Sequence, residues 1–405
     1  MFEIATAALD PAVPDPQRRS PRRLLAAASN YRSLTVALTL VIVWGFFYLK
    51  DPNDVFLSAR NLSNLSLQIT VTGLLALGLV FVLLIGEIDL STAALSGVSA
   101  AIIAALVQQN GMNTAIAIVL GLLFAAAFQM VLSAIVVIGP PSFIVTLGAS
   151  LVLNGLLLRI LPSTGQFNLS GTPLGEFASK YISTGWALAG AAVLYALFTA
   201  GRVSTWRRQR RRGLRSSGAS LAVPLVVTAA GTALALVVFS KYRGVPVPFA
   251  VFFALVLLSS YLLTQTRFGT AVYAVGGNRE AARRAGIKVT AVVVLVFAIA
   301  GLLSALGGLI AASRVLGVSN QSGSGSLLLE AIAAAVIGGV SLTGGRGTAW
   351  ASLLGALVIG SISNGMDLLD YSTSSKMIVQ GSLLVAAVLV DVLFNRGSLR
   401  PSRGR

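Results

Sequence analysis

Residues 69–86 read ITVTGLLALGLVFVLLIG, a run without a charged side chain, and the polar stretch EIDLS follows directly at 87–91. A helix of this length and composition can cross the hydrocarbon core of a bilayer. Comparable runs recur along the chain of 405 residues, of which 56% are hydrophobic and 11% are charged. The sequence therefore predicts an all-α polytopic membrane protein and not a soluble globular domain.

Twelve apolar runs are long enough, or nearly long enough, to span the membrane. They lie near residues 34–49, 69–86, 91–107, 114–138, 142–161, 185–201, 221–239, 247–264, 290–313, 327–342, 348–365 and 376–394. The sixth and seventh form an inserted hairpin (185–239), because the other ten make a coherent set without them. We therefore expect about twelve transmembrane helices in one domain over 34–394, a ten-helix core with one added hairpin.

The basic residues indicate the topology of the chain, whose formal net charge is +17. They concentrate in a disordered tail over 1–33, in the loop 202–215, in the segment 267–288 and in a C-terminal tail over 395–405. If both termini are cytoplasmic, these four segments share one side of the membrane, as the positive-inside rule requires. The arginine run at 207–212 is then a topogenic signal that also contacts anionic lipid, and no nucleic-acid partner is expected.

The composition of the chain excludes most catalytic mechanisms. The chain contains no cysteine and no histidine, which excludes disulfides, thiol nucleophiles, imidazole acid–base chemistry and the commonest zinc ligands. The stretch GGVSLTGGRGT at 338–348 lacks the lysine and hydroxyl spacing of a phosphate-binding loop. We assign no catalytic residue, metal or cofactor to this chain, so active transport would need energy from a partner.

Ionisable groups at membrane depth are candidates for a functional site, because their burial is costly unless they are paired or hydrated. Glu87, Asp89 and Ser91 lie between two apolar runs. One interpretation is a tight turn in which Asp89 or Ser91 caps the next helix. The other places these residues on the path of a transported solute, since polar helix breaks line such cavities. The two interpretations are compatible.

Two further stretches are candidate parts of a solute path. Asn320 and Gln321 lie in the Gly/Ser-rich stretch SNQSGSGS, which is either a flexible linker or an outer surface that binds sugar hydroxyls. Phe143 and Thr146 are three positions apart, so they are expected on one helix face. That face could line a pore or simply pack against a neighbouring helix.

The stretch GGNREAARRAGI at 276–287 predicts a short helix with a cap at each end. Asn278 is a favourable N-cap, Glu280 suits the positive end of the helix, Arg283 suits the negative end, and Gly286 can adopt the left-handed conformation that ends it. Such a helix is too polar for the bilayer and too short to be stable alone. It therefore needs a docking surface, and the small side chains of Ala281 and Ala282 would let a partner approach closely.

Five motifs in this order resemble the permease subunits of ribose- and xylose-type ABC sugar importers, within the wider sugar and branched-chain amino-acid permease group. They are GEIDLS (86–91), PSFIVTLG (141–148), AVGGNREAARRAGI (274–287), AIAAAVIGGVSLTGGRGT (331–348) and GALVIGSISNGMDLL (355–369). Asn364, in the last motif, completes the tentative path residues. Glu87 departs from the glycine that is usual in the family, which puts simple transfer of substrate specificity in doubt.

The resemblance implies a permease in the bacterial plasma membrane that dimerises, most simply as a homodimer, around one solute path. It also implies two cytoplasmic ATPase subunits, which bind ATP and magnesium, and an extracytoplasmic sugar-binding protein. The segment that matches the family's ATPase-coupling helix comprises Asn278, Arg279, Glu280, Ala281, Ala282, Arg283 and Gly286. Chain length and the inserted hairpin favour the xylose-type members and hence a pentose substrate.

Two other functions remain possible at this point. An ion-coupled secondary transporter of a small polar solute would use Glu87, Asp89 and Glu330 as ion carriers. A membrane scaffold would have no transport cycle. The capped polar helix favours the importer, because an ion-coupled mechanism does not need it.

Overall fold

The computed structural model describes residue 36 and residues 38–211 and 218–396. The helices are α1 (Leu38–Lys50), α2 (Ala59–Leu84), α3 (Thr92–Gln108), α4 (Thr114–Ile138), α5 (Ser142–Ile160), α6 (Pro173–Glu176), α7 (Thr184–Arg211), α8 (Gly218–Ser240), α9 (Val247–Gln265), α10 (Arg267–Gly277), α11 (Arg279–Arg284), α12 (Val289–Val315), α13 (Leu327–Ile337), α14 (Trp350–Leu368) and α15 (Thr373–Arg396). A short 3-10 helix, Phe177–Ser179, follows α6. The expected tail 1–33 and most of the tail 395–405 lie outside the described residues.

The prediction of an all-α polytopic membrane protein is confirmed. Within the described residues, eight helices are long and apolar enough to cross a membrane, namely α2, α4, α5, α7, α8, α9, α12 and α14. Three apolar helices are shorter, namely α1, α3 and α13. Each of the twelve runs expected from the sequence overlaps one of these eleven helices or α15.

Helix α2 is the centre of the core, because nearly all of its side chains from Leu65 to Leu84 are buried. It packs against α9, α12, α13 and α14. Small residues allow these helices to approach closely. A Cβ atom added at Gly78 would lie 3.3 Å from the Ala300 backbone of α12, and one added at Gly308 would lie 1.9 Å from the Ser96 carbonyl oxygen of α3.

The two ends of the helix bundle have different connections. At one end, the strand end, β1 (Gln166–Asn168) pairs antiparallel with β4 (Gly317–Ser319), and β2 (Tyr181–Ile182) pairs with β3 (Val245–Pro246). At the other end, the junction end, tight turns meet the segment that carries α10 and α11.

Two irregular segments enter the bundle from opposite ends. Residues 85–91 lead from α2 into the short helix α3, and residues 320–326 lead from β4 into the short helix α13. The second segment contacts α3, because Cβ atoms added at Gly97 and Gly323 would lie 2.1 Å from the Ser322 oxygen and 2.2 Å from the Ala93 oxygen. The Gly/Ser-rich stretch is therefore packed against a helix and is not an open linker.

The basic loop expected over 202–215 is wrong in part, because α7 continues through Arg211. Arginine is a good helix former, and the Arg210 guanidinium lies 4.2 Å from the centre of the Trp206 ring, which adds a cation–π contact inside the helix. Helices α7 and α8 lie side by side, and α7 has no buried residue.

Candidate functional site

Helix α11 has the caps that its sequence predicts. The Asn278 side chain accepts a hydrogen bond from the Ala281 backbone N–H at 2.9 Å, and Gly286 has a left-handed φ of +83°. Glu280 lies in the first turn, and Arg283 and Arg284 lie in the last. Ala282 is the buried residue of the helix. α11 therefore packs against the rest of the protein through this small side chain, and its charged side chains face outward.

An ion pair joins α11 to the turn between α2 and α3. The Arg279 guanidinium donates to the Glu87 carboxylate at 2.7 Å, and the Glu87 side chain is only 13% exposed. The sequence left open whether Glu87 belongs to a tight turn or to a solute path. The structure pairs it with Arg279 of the predicted coupling segment.

Close backbone packing strengthens the same contact. A Cβ atom added at Gly276 would lie 1.8 Å from the Leu84 carbonyl oxygen and 2.6 Å from the Gly345 nitrogen. The Gly345 N–H donates to that Leu84 oxygen at 2.9 Å. The end of α2, the end of α10 and the glycine turn 338–348 thus form one three-way contact, which we call the junction together with the Glu87–Arg279 pair.

Tyr273 of α10 adds a side-chain hydrogen bond to the junction. Its hydroxyl donates to the Gly347 carbonyl oxygen at 2.8 Å. Burial raises the pKa of Tyr273 above its ordinary value of 10.0, since the charged phenolate is disfavoured away from water. The hydroxyl therefore remains a donor at physiological pH.

Asp89 lies at the deep end of the segment 85–91 and is fully buried. Its Oδ1 atom accepts from the Ser91 backbone N–H at 2.8 Å and from the Ser91 hydroxyl at 2.6 Å. Its Oδ2 atom accepts from the Thr92 hydroxyl at 2.7 Å and from the Gln129 amide at 2.5 Å. Asp89 therefore fixes the turn that leads into α3, and protein donors already surround both of its oxygens.

Phe143 and Thr146 have different surroundings although they are three positions apart on α5. The Thr146 hydroxyl is buried and accepts from the Leu90 backbone N–H at 3.0 Å. Phe143 is 48% exposed. The two side chains are only about 60° apart around α5. Thr146 lies at the buried edge of this face, in contact with the segment 85–91, and Phe143 lies at its exposed edge.

The remaining candidate path residues lie toward the strand end. Asn320 and Gln321 are exposed in the turn that follows β4. Asn364 is buried and exchanges two hydrogen bonds with Asn61 of α2, at 2.8 and 3.1 Å. The structure thus separates the expected site residues into two groups, one at each end of α2.

Two residues of these contacts were missed by sequence reasoning. Gln129 is an amide inside the apolar run of α4, and that isolated polarity was the available signal for a partner at membrane depth. Arg279 was assigned only to partner docking, and nothing in its local sequence indicates Glu87. In the described part of the chain, no group of three or more acidic side chains forms a candidate metal site.

Comparison with known proteins agrees with this architecture. Residues 61–388 match the family model described as branched-chain amino acid transport system, permease component. A xylose transport system permease protein of Escherichia coli strain K12 is 36% identical over 379 residues, which cover 90% of this chain and 92% of that protein. A ribose import permease protein of Bacillus subtilis is 32% identical over 340 residues, which cover 84% of this chain and 87% of that protein.

No solved structure matches the chain significantly. The family match includes α2 to α14 and most of α15, and hence both groups of site residues. This chain therefore belongs to the family of branched-chain amino acid transport system permease components, and it is a membrane-spanning transport component and not an enzyme.

Proposed function

We propose that this chain is the membrane-spanning subunit of an ATP-binding-cassette importer for a pentose, and that xylose is the favoured substrate. The relatives named for xylose transport are 35% and 36% identical to this chain, whereas those named for ribose import are 31% and 32% identical. In this proposal both termini lie in the cytoplasm of a bacterium, and the junction end faces the same side.

The observation that carries the proposal is the position of α11. A short polar helix with an exposed charged face is tied by the Glu87–Arg279 pair and by Gly276 to the turn that holds Asp89. A separate ATPase subunit that binds α11 would therefore move the start of α3. Two such subunits would bind ATP and magnesium and drive two permease copies between inward-open and outward-open states.

The other partners follow from the same proposal. A second copy of the chain completes the solute path, most simply as a homodimer, and an extracytoplasmic binding protein delivers the sugar to the strand end. The α7–α8 hairpin (185–239) is an addition at the edge of the ten-helix core, since α7 buries none of its side chains.

The ion-coupled alternative is less favoured by these contacts. Glu87 is already paired with Arg279, and Asp89 is surrounded by four donor groups. An ion carrier must exchange its bound ion during transport. The donor groups occupy both oxygens of Asp89, and Arg279 already neutralises the charge of Glu87.

The substitution Glu280→Lys tests the proposal. Glu280 is exposed and pairs only with Arg283 and Arg284 of its own helix among the described residues, so the fold should persist while the charge offered to the partner reverses. We expect the amount of ATPase that co-purifies, and the ATP-dependent xylose uptake in proteoliposomes, to fall by about tenfold or more.

The matched control is Glu176→Lys, the same change at an exposed position of the short helix α6 at the strand end. It should leave ATPase binding unchanged. If Glu280→Lys retains both ATPase binding and uptake, the assignment of α11 to coupling is wrong.

A further inference from the structure

A polar cavity of about 460 Å³ opens at the strand end between α2, α12 and α14. Its lining is rich in amides and charged groups, including Asn61, Asn64, Gln68, Arg314, Asn364 and Asp367. Soluble ligands usually bind in concave sites where a few polar groups converge. A polar cavity within a chain that is otherwise 56% hydrophobic is therefore a candidate binding site.

One face of α2 forms a wall of this cavity. Asn61, Asn64 and Gln68 are spaced by three and four positions, so they share a face of the helix. Asn61 is occupied by its paired hydrogen bonds with Asn364. The side chains of Asn64 and Gln68 have no hydrogen-bond partner among the residues that the structure describes.

Gln68 lies deep in the membrane-spanning helix α2, and its amide has no hydrogen-bond partner among the described residues. It lies nine residues after the start of α2 at Ala59, which corresponds to about 13 Å along the helix axis. An amide at this depth that faced lipid without a partner would cost several kcal/mol, of the order of 4 kcal/mol or more. Water or a polar solute must therefore reach it from the cavity.

Arg314 supplies a second set of free donors. It is exposed in the last turn of α12, and its guanidinium makes no hydrogen bond or ion pair with another described residue. Its acidic neighbour Asp367 is already paired with Lys376. Five guanidinium N–H groups thus lie at the cavity, which the amides of α2 also line.

The polar face of α2 continues inward from Gln68 to Glu330. Thr72 follows Gln68 by one turn, and its hydroxyl lies 3.4 Å from the Glu330 carboxylate. The other Glu330 oxygen accepts from the Ser326 hydroxyl at 2.7 Å and from the Gln380 amide at 3.0 Å. Glu330 is partly exposed although Thr72 is at the middle of a helix that spans the membrane, so it must face water or protein and not lipid.

We propose that this cavity binds the transported polyhydroxy solute, with Gln68 and Arg314 as contact residues, and that the polar face of α2 leads the solute from the cavity toward Glu330. The inference rests on the proposed function and places the solute path on α2, away from Asp89 and Phe143. Amide, guanidinium and carboxylate groups together donate and accept in the way that neutral sugar hydroxyls require.

The absence of cysteine from the chain allows a direct test of access. Gln68→Cys and Arg314→Cys are introduced singly into the full transport complex in lipid nanodiscs, where both faces are open to a charged thiosulfonate reagent. Two controls are Ser66→Cys, which is buried on the same helix, and Leu151→Cys, which is 70% exposed on the apolar surface of α5.

We expect the two cavity cysteines to react at least about tenfold faster than both controls, because only they meet water. Xylose should slow their reaction, whereas it should not affect the controls. Cavity cysteines that react as slowly as Leu151→Cys, or that xylose fails to protect while the unsubstituted complex transports it, overturn the inference.

A kinetic measurement separates this inference from the proposed function. Gln68→Leu should raise the KM for xylose uptake by about tenfold, the effect of one lost hydrogen bond to bound solute, while ATPase binding stays unchanged. Gln265→Leu, which removes an exposed amide near the junction end, should leave KM unchanged. If the unsubstituted complex imports neither xylose nor ribose, the proposed function fails. If the unsubstituted complex imports one of these sugars, and Gln68→Leu has the same KM for it, only the cavity assignment fails.

Discussion

The polar side chains at the two ends of α2 differ in whether other protein groups pair with them. At the junction end, Glu87 is paired with Arg279, and Asp89 is surrounded by four donor groups. At the strand end, Asn64 and Gln68 line a cavity and hydrogen-bond to no described residue. Polar residues can therefore have two different functions in a membrane protein. Polar groups that the protein satisfies itself fix a geometry, whereas those left open at depth are available to water or solute.

The junction also has little freedom to adjust. Its contacts at Gly276 are between backbone atoms, which cannot change rotamer to relieve a clash. A backbone contact of this kind transmits displacement, because packed interfaces move as units instead of deforming continuously. The cavity, in contrast, is lined by side chains that can reorient around a ligand.

Enlarging Gly276 should give the largest effect. The Cβ atom of Gly276→Ala would lie 1.8 Å from the Leu84 oxygen, so α10 must move away from α2. We expect a loss of about 3 kcal/mol in the free energy of unfolding, together with loss of ATP-driven uptake. Thermal unfolding of the purified chain and uptake in proteoliposomes measure the two effects.

The neighbouring residue provides a matched control for this substitution. A Cβ atom added at Gly277 meets nothing within 4 Å, so Gly277→Ala should be close to neutral in both measurements. Equal effects of the two substitutions would show that the junction is not a close backbone contact.

Reversing the ion pair should give an intermediate effect. Glu87→Arg and Arg279→Glu each place like charges together at a contact of 2.7 Å, and each should weaken the coupling of ATP hydrolysis to uptake. The double variant restores the pair in the opposite sense. A double-mutant cycle on unfolding should return about 1 kcal/mol of interaction energy.

The cycle also distinguishes the junction from the cavity. Neither single variant should alter the KM for xylose, because the pair is at the opposite end of α2 from Gln68. Single variants that are additive in the cycle, or that raise KM as Gln68→Leu does, would contradict the division between the two ends.

The local features of the junction were predictable from sequence, because their causes are local. The caps of α11 depend on Asn278 and Gly286, which lie within a few residues of the backbone groups that they serve. Apolar run length likewise located the membrane helices. The prediction that α7 ends before a basic loop was wrong. We interpreted the charged run as a loop, but arginine favours helix formation.

The contacts across the fold were not predictable in this way. Glu87 and Arg279 are 192 positions apart, and Asp89 and Gln129 are 40 positions apart. No local pattern links such residues, so each acid could only be assigned by its own neighbourhood. The polar face at Asn61, Asn64 and Gln68 has helical spacing that sequence shows, but its opening into a cavity depends on α12 and α14.

Removing one hydroxyl from the junction should give the smallest effect. Tyr273→Phe deletes the bond to the Gly347 oxygen at 2.8 Å and should cost about 0.5 kcal/mol in the free energy of unfolding. The contribution of Tyr273 to stability should also depend on pH. Burial raises the folded-state pKa of Tyr273 above 10.0, so the unfolded chain loses this proton first as the pH increases.

The stabilisation by Tyr273 is therefore complete below pH 10.0 and decreases as the pH rises from 10.0 toward the folded-state pKa. Phenylalanine has no proton to lose, so the stability difference between the unsubstituted chain and Tyr273→Phe should shrink over that range and be constant below it. If the difference for Tyr273→Phe is constant across that alkaline range, its hydroxyl lies open to water, and the junction is a looser contact than its glycines indicate.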